Sequence, residues 1–103
     1  MTLTQRDRQL HWRTWNLLLQ IKEATDGEDR RQRSGEMTER RLCLSDQPAT
    51  RAFLSRGWVE CTGSAEIDMR GDGDVYKMVP TYIVTKLGRE ALVAAEQRGV
   101  PLR

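Results

Sequence analysis

The sequence predicts an α+β domain in which three helices precede a β-hairpin and a further helix closes the chain. Three observations predict it. Apolar residues recur at three- and four-residue spacing through the first half, they alternate with period two after Gly57, and helical spacing returns after Thr85. A length of 103 residues with 38% hydrophobic residues suits one domain built on one modest core.

Thr4 reads as an N-cap with Asp7 in the first turn, and Leu10, Thr14, Leu17, Leu18 and Ile21 follow at helical spacing. A first helix is therefore expected over residues 5–24, with Asp26-Gly27 as its stop. The stretch that follows, to Gly35, is too polar to supply a core, so residues 27–36 are expected to be a polar loop. Its arginines, Arg30, Arg31 and Arg33, are diluted by Glu28, Asp29 and Glu36, which favours a solvated loop over a phosphate-grasping arm.

Met37, Arg41, Leu42 and Leu44 predict a short second helix over residues 37–44. Pro48 suits the first turn of a third helix, Gln47–Arg56, whose inward face is Ala49, Ala52, Phe53 and Leu54 and whose stop is Gly57. Residues 58–62 and 65–69 then alternate as strands, and so do parts of 75–84. The glycines and aspartates of residues 70–74 predict the turn of a hairpin, and Pro80 predicts an edge or a bulge in the returning strand. Thr85 caps the last helix, whose apolar positions are Leu87, Ala91, Leu92 and Ala95, and Gly99 ends it.

Composition also excludes function classes. The 17 Lys and Arg against 15 Asp and Glu leave a net charge of +2, so attraction to a polyanion has to come from a local patch. There is no apolar run of membrane-spanning length and no secretory leader, and the expectation is a soluble, cytoplasmic protein with no membrane partner. Cys43 and Cys61 lack neighbouring Cys or His, so reduced, partly buried thiols are expected and no zinc. A calcium loop counted from Asp68 fails at Arg70 and Val79, where oxygen ligands are needed. His11 has no partner spacing for a catalytic relay, and no phosphate loop or dinucleotide fingerprint occurs. Neither enzymatic activity nor a metal or other cofactor is expected.

The segment Ala52-Phe53-Leu54-Ser55-Arg56-Gly57-Trp58-Val59-Glu60, with Tyr82-Ile83-Val84-Thr85-Lys86-Leu87-Gly88-Arg89-Glu90-Ala91-Leu92 after the hairpin, resembles winged-helix regulators of the MarR and PadR types. The resemblance covers roughly residues 47–95 and implies a helix-turn-helix with a β-hairpin wing. It departs from those regulators at Glu39, Arg40 and Arg41, where they carry an alanine- and leucine-rich helix, and in the length of the first loop.

The resemblance implies a dimeric, DNA-binding transcription regulator with the third helix in the major groove of double-stranded DNA. Gln47, Thr50, Arg51 and Ser55 would then face bases or phosphates, and Arg56, Arg70 and Lys77 would touch the backbone from the helix end and the wing. Asp68, Asp72 and Asp74 oppose a phosphate contact at the wing tip. Trp12, Trp15 and Leu19 make the first helix more apolar than a small core requires, which points to a homodimer or another partner there. The alternative is a winged-helix protein-interaction module, such as an accessory or inhibitory factor of a mobile element.

Overall fold

The computed structural model describes residues 2–27, 36–39, 42, 47–68, 73 and 75–102. The chain opens with a single helical turn, α1 (Gln5–Arg8), closed by a capping box. The Asp7 N–H donates to Thr4 Oγ1 at 3.1 Å and the Thr4 N–H donates to Asp7 Oδ2 at 3.0 Å. The continuous helix expected over residues 5–24 is thereby corrected. The chain breaks at residues 9–11 and restarts as α2 (Trp12–Thr25), with extended His11 as the N-cap whose Nδ1 accepts the Arg13 N–H at 3.1 Å.

α2 supplies the largest share of the core. Trp15, Leu18, Ile21 and Ala24 are buried along one stripe, and the Trp15 ring stacks on Trp58 with centroids 5.1 Å apart. Phe53 of α3 (Gln47–Arg56) completes this aromatic cluster at 6.3 Å from Trp58. The bounds of α3 agree with the sequence expectation.

Met37 does not begin a helix. With Thr38 it forms a two-residue strand, β1 (Met37–Thr38), pairing antiparallel with Tyr82 and Thr81. Met37 and Leu42 are both buried, so the apolar residues read as a helical stripe reach the core from a strand and a following turn. The rest of that stretch, residues 40–41 and 43–46, lies outside the described residues, as do Cys43 and most of the polar loop.

The hairpin is formed by β2 (Val59–Asp68) and β3 (Tyr76–Val84), and the sheet order is β1-β3-β2. β2 is one strand where two segments were expected, with a register shift between Cys61 and Gly63 marking a bulge. Cys61 is exposed, not partly buried as expected, and its thiol donates to the Gly63 carbonyl at 3.4 Å. Pro80 belongs to the central strand, not to an edge strand. It ends the pairing with β1: its carbonyl accepts the Glu39 N–H at 3.0 Å, it has no N–H to return, and it lies one pair from the bulge in β2.

A tight junction joins α3 to the hairpin and the hairpin to α4 (Lys86–Gln97). Gly57 takes φ 73° and lets the chain turn from helix to strand, with the Trp58 N–H bonded to the Phe53 carbonyl at 3.0 Å. On the return, Thr85 donates its hydroxyl to the Gly57 carbonyl at 2.5 Å and its N–H to the Trp58 carbonyl at 2.9 Å. Its Oγ1 accepts the Gly88 N–H at 3.2 Å, capping α4. The result is an α+β fold whose helices pack on a three-stranded antiparallel sheet, with no described helix long and apolar enough to cross a membrane.

Candidate nucleic-acid interface

On α3, Pro48, Arg51, Ala52 and Ser55 lie at the i, i+3, i+4 and i+7 spacing that places them on one face, while Thr50 and Phe53 are buried on the other. The outward face borders an open groove of about 630 Å³ completed by Arg6, Gln9 and Leu10 from α1 and the turn after it. A smaller groove of about 350 Å³ continues it past Thr4 and Asp7 to Trp58, sharing Arg6, Ser55 and Arg56. Three guanidinium groups therefore border one concave surface.

Their roles differ. Arg56 is held within the protein: its Nε lies 2.6 Å from Asp7 Oδ1, its Nη1 donates to the Ala52 carbonyl at 3.1 Å, and its guanidinium sits 5.3 Å from the Trp58 ring centre. Arg6 and Arg51 have no ion-pair partner among the described residues, and both are exposed. Among the described residues lining the two grooves Asp7 is the one carboxylate, and Arg56 neutralises it. The groove thus presents two uncompensated positive charges beside polar Gln9 and Ser55.

The residues expected to contact DNA are only partly gathered here. Arg51, Ser55 and Arg56 line the groove. Gln47 does not, because its side-chain amide donates to Glu39 Oε1 at 2.9 Å and is held against the segment after β1. Thr50 corrects the expectation outright: it is 6% exposed with its hydroxyl unpartnered, facing the core and unable to read a base. Lys77 is exposed on β3, opposite Ile67 and away from the groove. Arg70 lies outside the described residues.

Sequence reasoning missed Arg6 and Gln9. Their signal is the run Gln5-Arg6-Asp7-Arg8-Gln9, in which two arginines flank the capping aspartate. It points to α3 only once the Asp7–Arg56 pair is known.

Of the residues expected to meet a partner, Trp15 is withdrawn from that role. It is 1% exposed and stacked in the core. Leu19 is half-buried against the same core, whereas Trp12 is 47% exposed, its ring beside His11 and 5.4 Å from the Arg13 guanidinium. Comparison of the chain with models of known protein families, with curated protein sequences and with solved structures returns no match.

Proposed function

We propose that this chain is a winged-helix protein that binds double-stranded DNA, with α3 turned toward the major groove, and that it acts as a small transcription regulator. The order of a short strand, α3, hairpin and closing helix, with β1 laid against β3, supports the winged-helix reading. An α-helix of about 10–12 Å diameter fits a major groove about 12 Å wide.

One observation carries the function: Arg6 and Arg51 face an open groove in which, among the described residues, the one lining carboxylate is already neutralised. That local charge answers the near-neutral total, because phosphate contacts depend on the cations that reach the backbone and not on the sum over the chain. Arg51 and Ser55 are the residues for α3 to present, Arg6 reaches phosphate from α1, and Lys77 approaches from the hairpin. Arg56 supports this surface from behind. Contact between copies belongs to the same reading, with exposed Trp12 and half-buried Leu19 on the available face.

The test is binding of the purified protein to random-sequence duplex DNA at about 50 and 200 mM salt, the interval over which phosphate contacts weaken most. Salt-sensitive binding is expected, and Arg6→Ala and Arg51→Ala should each lower the salt slope by about one. Arg51→Ala should also relax any sequence preference. Absence of binding at the lower salt overturns the reading.

A further inference from the structure

The outer half of the hairpin carries a surface that DNA binding leaves unused. In the register of β2 and β3, Glu66 faces Met78 and Asp68 faces Tyr76 on one side, whereas Ala65, Val79 and Ile67 turn to the other. Met78 is 61% and Tyr76 54% exposed, and Val79 is buried. One face of the wing is therefore acidic and apolar together.

The corner where α1 meets α2 has the opposite character. Trp12 is 47% exposed with the Arg13 guanidinium against its ring, and exposed Arg8 lies just before it in the chain. A thioether packs favourably on an indole, and a carboxylate beside it meets the guanidinium.

These two surfaces cannot meet within one chain. Trp12 lies one helical turn before Trp15, which stacks on Trp58 at the base of β2, and Glu66 stands about 23 Å farther along that strand. We propose that the outer face of the wing docks on the Trp12–Arg13 corner of a second copy of this chain, with Met78 on the Trp12 ring and Glu66 against Arg13. The contact is head-to-tail, so each added copy leaves one free wing and one free corner, and the chain assembles into open arrays instead of closed dimers. The proposal concerns contact between copies and stands or falls without DNA.

Sedimentation velocity of the full chain, from about 1 to 300 µM, reads it directly through micromolar association. The wild type should show a concentration-dependent rise in sedimentation coefficient that weakens with salt. A wing variant, Glu66→Arg with Met78→Ser, and a corner variant, Trp12→Ser with Arg13→Glu, should each remain monomeric while keeping the wild-type circular dichroism. Mixed, the corner variant still offers an intact wing and the wing variant an intact corner, so a one-to-one heterodimer that grows no further is expected. A wild type that stays monomeric overturns the proposal, and so does self-association that either variant retains. A mixture of the two that forms no heterodimer overturns it as well.

Discussion

Asp7 and Arg56 are 49 positions apart in the chain and 2.6 Å apart in space, and their contact fixes the one-turn helix α1 against the end of α3. Asp7 has two tasks, since its other oxygen closes the capping box with Thr4. Burial raises the Asp7 pKa, but hydrogen bonds from Arg56 and Thr4 together with the Arg56 charge outweigh it and hold the carboxyl below its ordinary range.

Replacing Asp7 should therefore affect stability and its pH dependence together. Asp7→Ala removes a mostly buried charge-assisted hydrogen bond and a helix cap, and is expected to cost about 2–3 kcal/mol in urea unfolding. Because the folded-state pKa is lowered, the stabilisation is complete above the unfolded value of about 3.9 and is lost as pH falls through the folded one. The wild type should lose stability more steeply than Asp7→Asn below about pH 4. Parallel acid profiles would show that Arg56 does not depend on this carboxylate.

Gly88 seats α4 directly against the Trp58 backbone. A Cβ built there would lie 2.2 Å from the Trp58 carbonyl oxygen and 2.7 Å from Val84 Cγ2, and the first contact is with backbone that cannot step aside. Gly88→Ala should destabilise by about 3 kcal/mol or more, at the upper end for overpacking, although alanine favours helix. A thermal midpoint equal to that of the wild type would mean that α4 does not seat on Trp58 as described.

This junction also shows what was legible in the sequence. Gly57 and Thr85 act locally, one through its backbone conformation and the other as a cap, so α3, the hairpin and α4 could be read from residue order, whereas the need for glycine at 88 comes from the distant Trp58 backbone. The break before His11 could not, because apolar spacing continues across it and histidine is an unusual cap. Nor could β1, whose two residues are too few to show a period. The candidate site was half legible. The spacing of Pro48, Arg51 and Ser55 is local to one helix, but the capture of Arg56 and the inclusion of Arg6 depend on α1 folding back onto α3, and the burial of Thr50 depends on which face of α3 meets the core.

A second long-range pair ties the end of α2 to α4. Asp26 Oδ1 and Oδ2 accept Arg89 Nη2 and Nη1 at 2.5 and 3.1 Å, and Lys22 Nζ reaches Oδ2 at 3.0 Å. The hydrogen bond from Arg89 leads in lowering the Asp26 pKa to about 2. In a carboxylate titration followed by NMR, Arg89→Ala should return Asp26 toward about 3.9. The group is largely solvent-facing, so the accompanying loss of stability should stay within about 1 kcal/mol. That stabilisation is present above the ordinary carboxylate value and disappears as pH falls toward 2. An Asp26 that titrates alike in both proteins would show that the bidentate contact does not form in solution.

The three tryptophans offer a direct check on which aromatic surface is free. Trp15 and Trp58 are 1% and 3% exposed, whereas Trp12 is 47% exposed with a guanidinium 5.4 Å from its ring. Iodide should quench a single class of emission, more strongly than caesium does, because Arg13 attracts the anion to the one accessible indole. Trp12→Phe should abolish that quenching and change stability by no more than about 0.5 kcal/mol, as expected for an exposed side chain. Trp15→Ala should instead cost about 3–5 kcal/mol, since it empties a close-packed stack against Trp58. The measurement belongs at dilute protein, where copies are apart. Repeating it at high concentration should shield Trp12 if the hairpin of a second copy covers it, and quenching independent of concentration would leave that indole uncovered.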